Sequence, residues 1–223
     1  MSTKKQQFIL GRTFLLSLIA VVLITAFSIL VKIYDVAPIG PRETEVGFST
    51  INQAVAGVLP FNSTWYKITK YALALPILVA LGFAGFGLCQ LIKRKKLAKV
   101  DKELFILAGF YLVVAAVFLL FEKLSINFRP VVIDGELEAS FPSTHALLSL
   151  CLCGSGILMT KTFLKNPTER KLANLILAFI ATFIVLGRLI SGVHWFTDII
   201  GGCLISAMLL IVLRSLLSPR QTD

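Results

Sequence analysis

The chain has 223 residues, of which 57% are hydrophobic and only 15% are charged. This balance excludes an ordinary water-soluble domain and indicates a protein whose main solvent is the lipid bilayer. The formal net charge of +10 could suggest nucleic acid, but a nucleic-acid binder gathers its basic residues on a soluble face, and no soluble domain is visible here.

Six apolar segments are predicted to cross the membrane as helices. Four are uncharged runs of about the 20 residues that a spanning helix needs, and two shorter ones can cross if they tilt or use aromatic and basic residues at their ends. We therefore predict an all-α integral membrane bundle of six transmembrane helices, with a single domain over residues 1–223. In chain order the predicted spans are 13–31, 71–92, 104–121, 139–160, 172–187 and 199–213.

Basic residues are distributed unevenly among the segments between these spans. If the N-terminus is cytoplasmic, four inside segments hold 15 of the 22 Lys and Arg residues. Cytoplasmic loops carry such an excess, so we predict a multi-pass protein of the cell membrane with both termini cytoplasmic. The inside segments are then 1–12, 93–103, 161–171 and 214–223.

The connection between the first two spans, residues 35–69, is predicted to be an extracytoplasmic loop. It starts irregularly, because Pro38, Gly40 and Pro41 follow one another closely. Its later part has apolar residues at roughly helical spacing, which suits either a short helix at the membrane surface or a loop packed over the bundle.

The four cysteines all fall inside apolar spans, which indicates packing residues rather than a disulfide framework. The chain has only two histidines and no Cys-x-x-Cys pair. The sequence therefore predicts neither a zinc site nor another cofactor.

Three polar clusters lie at the predicted outer ends of the spans, where charged groups are costly and usually have a function. One follows span three, one starts span four, and one joins spans five and six. They are Lys123-Leu-Ser-Ile-Asn-Phe-Arg129-Pro130, Phe141-Pro142-Ser143-Thr144-His145, and Arg188-Leu-Ile-Ser-Gly-Val-His194-Trp-Phe-Thr-Asp198.

The third cluster has the spacing of an activated histidine. His194 and Asp198 are four residues apart, so they share a helix face if span six is helical at its start. An aspartate that holds the imidazole fixes its tautomer and raises the basicity of the other ring nitrogen, as a nucleophile toward phosphorus requires. Taken alone, the pair is more typical of an interfacial His and Asp that cap a helix, because Asp near a helix start is stabilising without any catalysis.

The second cluster predicts an anion site at a helix start. Pro142 and Ser143 favour the first turn of a helix, with Ser143 able to cap it and free backbone N–H groups pointing outward. His145 lies close enough to protonate an oxygen that leaves a phosphate held there. A serine cap followed by a buried, hydrogen-bonded histidine is the alternative interpretation.

Three cations, Lys123, Arg129 and Arg188, accompany these groups. A phosphoryl transition state spreads negative charge over its oxygens, so fixed cations there stabilise it strongly. Lys123 and Arg129 could instead extend toward lipid headgroups. The location of both histidines, an anion site and three cations at one face favours a common catalytic site.

The order K…RP, PS-x-H, R-x5-H-x3-D resembles the type-2 phosphatidic acid phosphatase (PAP2) superfamily of membrane lipid phosphatases. The resemblance implies that His194 is the nucleophile, that Asp198 orients it and that His145 is the general acid. It also implies that no metal or other cofactor takes part. The residues that would bind the phosphate are Lys123, Arg129, Ser143, Thr144 and Arg188.

The chain departs from the family pattern at three positions. Lys123 and Arg129 enclose five residues where the family has six, which puts Lys123 out of phase. Thr144 replaces a glycine where the backbone approaches phosphate, and Gly187 replaces a serine before Arg188, so one hydroxyl contact is missing.

The resemblance further implies a metal-independent phosphatase that forms a phosphohistidine at the outer face of a bacterial membrane. The first expected substrate is undecaprenyl pyrophosphate, the carrier lipid of cell wall synthesis. Phosphatidate, phosphatidylglycerol phosphate and the phosphates of lipid A are alternatives. A transporter that binds a lipid phosphate without cleaving it is a different class, and it would not need the set His145, His194 and Asp198.

Overall fold

A computed structural model of the chain describes residues 3–217, with side chains described from residue 11. Residues 1–2 and 218–223 of the predicted inside segments lie outside the described residues. Two 3₁₀ turns, Pro41–Glu43 and Leu97–Lys99, and three isolated β-bridges join the helices of the described part. Its α-helices are α1 (Thr3–Ile33), α2 (Ser49–Val58), α3 (Ser63–Ala72), α4 (Ala74–Arg94), α5 (Lys102–Leu124), α6 (Thr144–Phe163), α7 (Pro167–Ile190) and α8 (Phe196–Leu217).

Six helical segments of the described chain are long and apolar enough to cross a membrane, which confirms the predicted all-α bundle of six spans. Five spans extend beyond the predicted runs at both ends, where long polar side chains can reach water or headgroups, whereas the fourth begins at Thr144, five residues after the start of its predicted run. Large apolar side chains are exposed along the outside of α1, α4, α5 and α7, as expected of a surface that lipid covers. The spans are Gly11–Ile33, Ser63–Arg94, Lys102–Leu124, Thr144–Phe163, Pro167–Ile190 and Phe196–Leu217.

The second span consists of two helices with a break between them. α3 ends at Ala72 and α4 begins at Ala74. Pro76 explains the break, because it has no N–H for the carbonyl of residue 72 and its ring crowds that carbonyl. α3 begins at Ser63, so the second span starts inside residues 35–69, which were predicted to form a loop. α2 forms in the earlier apolar part of the same segment.

Helix α6 is the most buried span of the described chain, and it packs against α4, α5, α7 and α8. Cys151 and Cys153 are fully buried on it, and all four cysteines are free thiols. Small side chains at these positions let neighbouring helices approach closely. α6 thus forms the centre of the bundle, and its first turn is positioned by helices on several sides.

The starts of α6 and α8 lie against each other. A Cβ on Gly201 would lie 2.4 Å from the ring of Phe141, and one on Gly202 would lie 3.0 Å from the carbonyl oxygen of Ser143, so only glycine permits this approach. The Ser143 N–H donates to the backbone oxygen of Asp198 at 2.9 Å. The approach brings the second and third polar clusters together at one end of the bundle, which we call the site end. Its connecting segments are 34–62, 125–143 and 191–195.

Candidate active site

His194 and Asp198 are linked through a third side chain. His194 lies in the loop before α8, which begins at Phe196, so the helical spacing assumed for the pair does not apply. Its Nδ1 is 3.9 Å from Oδ2 of Asp198, too far for a hydrogen bond. The Ser140 hydroxyl fills the gap, with its Oγ 3.0 Å from Nδ1 and its proton donated to Oδ2 of Asp198. The predicted direct contact is therefore corrected to a relay through serine.

The hydrogen bonds around His194 define its tautomer. Its Nε2 lies 3.4 Å from Nη2 of Arg188, and a guanidinium can only donate, so Nε2 carries the lone pair. Nδ1 then carries the proton and donates it to Ser140. Burial and the positive charges of Arg188 and Arg129 hold the pKa of His194 well below its ordinary value. The imidazole is therefore neutral, with its lone pair directed at the cations.

Asp198 is fully buried, and its carboxylate accepts hydrogen bonds from three donors in two connecting segments. Besides the Ser140 hydroxyl, Oδ2 accepts from the backbone N–H of Trp195 at 2.9 Å. Oδ1 accepts from Nδ2 of Asn127 at 3.3 Å. A buried carboxylate needs such donors, because an unpaired charge at this depth is costly. The aspartate is thus held rigidly, and it holds Ser140 in turn.

Beside His194 lies a group of buried polar atoms that have no hydrogen-bond partner in the described chain. They include both ring nitrogens of His145, the Oγ of Ser143 and the Nε atoms of Arg129 and Arg188. Ser143 is at the N-cap position of α6, but its side chain makes no capping bond, contrary to the prediction. The first N–H groups of a helix also lack intrahelical partners. Buried polar groups are normally paired, so this cluster has the chemistry of an anion site.

The two arginines are held from different sides. Arg129 forms an ion pair with Glu138, with 2.8 Å between Nη2 and Oε2. Arg188 is fully buried, and its Nη1 donates to Oγ1 of Thr69 at 3.4 Å. The Cζ of Arg188 also lies 5.2 Å from the ring centroid of Tyr66, in cation–π contact. Helix α3 therefore supports the arginine from outside the three motifs.

The structure does not bring Lys123 into this group. Lys123 is exposed and makes no hydrogen bond or ion pair with another described residue. Phe121 is buried and its ring packs on Phe141 at 5.7 Å, and a residue two positions later lies roughly 200° around the helix. Thr144, the first residue of α6, is half-buried and lines a small cavity beside Ser140.

Sequence reasoning missed four residues of the site: Asn127, Ser140, Tyr66 and Thr69. Asn127 lies inside the first cluster and Ser140 directly precedes the second, but nothing in their spacing distinguishes them from other loop residues. Tyr66 and Thr69 are three residues apart and could have been identified as one polar helix face at the end of a span. That signal was hidden because the segment was assigned to a loop.

Comparison with known proteins agrees with this geometry. A family model described as the PAP2 superfamily matches residues 121–221, which include all three motifs but not helix α3. The fold is similar to a crystal structure described as the first transmembrane PAP2 type phosphatidylglycerolphosphate phosphatase from Bacillus subtilis. The two are 16% identical, with a TM-score of 0.57 over 94% of this chain and 98% of that chain. No curated protein matches the chain.

The family match and the shared fold confirm the predicted resemblance and the predicted phosphatase of the PAP2 type. The match covers the segment that carries His145, His194 and both arginines. The fold similarity extends over the first two spans as well, because it covers nearly the whole chain. The chain therefore resembles the PAP2 superfamily over residues 121–221 and has the fold of a transmembrane PAP2 phosphatase.

Proposed function

We propose that the protein is a metal-independent lipid phosphatase that hydrolyses a phosphate ester or pyrophosphate of a membrane lipid through a phosphohistidine at His194. One observation carries the proposal. The Nε2 lone pair of His194 faces Arg188 at 3.4 Å, while Nδ1 is fixed through Ser140 to a buried aspartate. A purely structural histidine would have no reason to direct its lone pair at a cation beside unpaired donors.

The unpaired donors supply the binding of the phosphate. Arg188 and Arg129 lie beside His194, and the Oγ of Ser143 and the first N–H groups of α6 complete a positive pocket. Charge that develops on the phosphoryl oxygens meets donors that are already in place. Arg129 would exchange its ion pair with Glu138 for the phosphate, which is the stronger and bidentate partner.

In the first step, Nε2 of His194 attacks phosphorus and the bond from phosphorus to the leaving oxygen breaks. Ser140 and Asp198 hold the Nδ1 proton as positive charge develops on the ring. His145 gives a proton to the leaving oxygen. In the second step, water loses a proton to His145 and attacks phosphorus, the N–P bond breaks, and inorganic phosphate leaves.

The site is proposed to face the extracytoplasmic side of a bacterial cell membrane, with both termini cytoplasmic. The support is the charge bias, because the segments at the opposite end of the bundle carry most of the lysines and arginines. In this orientation α2 lies at the outer surface, where an amphipathic helix is stable. The phosphate would be released outside the cell.

Undecaprenyl pyrophosphate is the substrate we favour, with a role in cell wall synthesis. A long isoprenoid tail stays in the bilayer while its diphosphate reaches a pocket at the end of the spans. Phosphatidylglycerol phosphate is a second candidate, because the similar Bacillus subtilis structure is described as a phosphatase for it. Phosphatidate and lipid A phosphates have the same reactive group and belong in the same substrate panel.

Phosphate release by the purified protein tests the proposal. The unaltered protein should release phosphate from at least one lipid of this panel in excess chelator, because Arg129 and Arg188 supply the charge that a metal would otherwise provide. No group of three or more His, Cys, Asp or Glu side chains in the described chain is placed to hold a metal ion. The His194→Ala variant should be inactive. Binding without hydrolysis would favour the transporter, and loss of activity with chelator would contradict the mechanism.

A further inference from the structure

Helix α3 lies directly against the third motif. A Cβ on Gly187 would lie 2.5 Å from Cγ2 of Thr69 and 3.4 Å from Cε3 of Trp65, so glycine leaves the space that α3 occupies. The hydroxyl of Thr69 accepts a hydrogen bond from Arg188. Thr69 therefore occupies the space that a side chain at position 187 would take, and α3 forms part of the wall of the site.

Two cations contact the same aromatic ring at this wall. The Cζ of Arg188 lies 5.2 Å from the ring centroid of Tyr66, and Nζ of Lys70 lies 5.8 Å from the same centroid. Tyr66 and Lys70 are four residues apart and share one face of α3. Arg188 is fully buried whereas Lys70 is exposed. The two cations therefore lie at different depths on the same wall, with Lys70 nearer to the surface.

Lys70 lies outward from Arg188 on this wall. The two cations share the Tyr66 ring, and Nη2 of Arg188 lies 3.4 Å from Nε2 of His194. In an in-line displacement the leaving group departs from the side of phosphorus opposite the nucleophile. A leaving group that extends outward from a phosphate held at Arg188 would therefore come within reach of Lys70.

We propose that Lys70, steadied by Tyr66, binds the leaving group of the substrate, and that the leaving group is itself a phosphate. Lys123, the lysine of the family motif, is exposed and faces away, so α3 provides the third cation instead. A lone alkoxide leaving group needs a proton but no outlying cation. The leaving monophosphate of a lipid diphosphate carries lasting negative charge, which a cation at the mouth stabilises. This inference rests on the proposed function and assigns the substrate class as lipid diphosphates.

Nε2 of His194 forms a bond to the terminal phosphorus, and the bond between that phosphorus and the bridging oxygen breaks. The electron pair stays on the bridging oxygen, which becomes an oxygen of the lipid monophosphate held by Lys70. His145 protonates this oxygen. Water then hydrolyses the phosphohistidine, so the products are the lipid monophosphate and inorganic phosphate.

The test compares two substrates that share one tail. The full-length protein in detergent is given farnesyl diphosphate or farnesyl monophosphate, and phosphate release yields kcat/KM for each. Lys70→Met should lower kcat/KM about tenfold or more for the diphosphate and much less for the monophosphate, since one charged contact is lost. Lys70→Arg should recover most of the loss. Lys67→Met is the matched control on α3, because Lys67 is exposed and makes no hydrogen bond, ion pair or ring contact with another described residue.

Two results would overturn the inference while leaving the phosphatase intact. One is an equal loss of kcat/KM for both substrates in Lys70→Met. The other is an equal effect of Lys67→Met and Lys70→Met on kcat/KM for the diphosphate. An unaltered protein that prefers the monophosphate would also contradict it. If the unaltered protein releases phosphate from neither substrate nor from any other lipid phosphate, the proposed function fails and the leaving-group site fails with it.

Discussion

The Nδ1 of His194 lies 3.9 Å from Oδ2 of Asp198, a separation that the hydroxyl of Ser140 bridges. The serine hydroxyl accepts a hydrogen bond from the imidazole Nδ1–H and donates its own hydrogen bond to the carboxylate. The orientation of the nucleophile therefore depends on a residue from the loop before α6 as well as on the third motif. Any motion of that loop relative to α8 would misalign the ring.

Ser140→Ala should lower kcat at least about tenfold with little change in KM, because the ring loses its anchor while the phosphate pocket is unchanged. Steady-state phosphate release measures both constants. Ser149→Ala is the control, since Ser149 is also buried but bonds only to the carbonyl of Ala146. An unchanged kcat in Ser140→Ala would show that the relay is not used.

The lowered pKa of His194 predicts where the acidic limb of the pH profile lies. The nucleophile must be neutral, so the acidic limb of kcat/KM should lie below about pH 6.5, the ordinary value for histidine. Arg129→Gln removes a positive charge that disfavours the imidazolium, so the pKa should rise and the limb should move to higher pH. Arg42→Gln, an exposed cation of another loop, is the control. An acidic limb that stays in place in Arg129→Gln would contradict the assignment.

Gly187 and Thr69 should behave as a coupled pair. Gly187→Ser restores the family residue but places its Cβ against Thr69, so it should destabilise the protein by about 1–3 kcal/mol and reduce activity. Adding Thr69→Ala removes the clashing methyl group and should recover stability in the double variant. Thermal unfolding of the four proteins gives the interaction free energy. Additive losses of stability in the double variant would mean that the two side chains do not compete for space.

Substitutions of Lys123 and of Arg129 should have very different effects on activity, although the family motif contains both residues. Lys123→Ala should keep activity within about twofold, because an exposed lysine without a partner contributes little. Arg129→Ala should lose about a hundredfold in kcat, since a fixed donor to the phosphoryl group is removed. The same phosphate-release assay compares them. A large loss in Lys123→Ala would return that lysine to the site.

The six spans were predictable because an apolar run of membrane length is a local property of the sequence. The convergence of the three clusters followed from topology and needed no distances. Ser140 could not be predicted, because its role depends on the contact between α6 and α8 at Gly201 and Gly202. Pro76 was visible in the sequence and indicates a break in the helix before it. A separate helix before that break would have placed Tyr66 and Thr69 on one polar helix face.

The position of Lys123 shows that a shift of one residue in helical phase can remove a side chain from a site. A single residue fewer between Lys123 and Arg129 rotates the lysine by about 100° on α5. The sequence showed the missing residue but not which face of α5 is buried. That face is defined by the contact of Phe121 with Phe141, which comes from a distant part of the chain.

The central claim, nucleophilic attack by His194, is tested most directly by trapping the intermediate. The protein is mixed rapidly with a lipid diphosphate labelled in its terminal phosphate, denatured in alkali and digested for mass spectrometry. The account predicts an acid-labile, alkali-stable phosphoryl group on His194 that is absent from the His194→Ala variant. Phosphate release with the label on another residue, or undiminished release by His194→Ala, would contradict it.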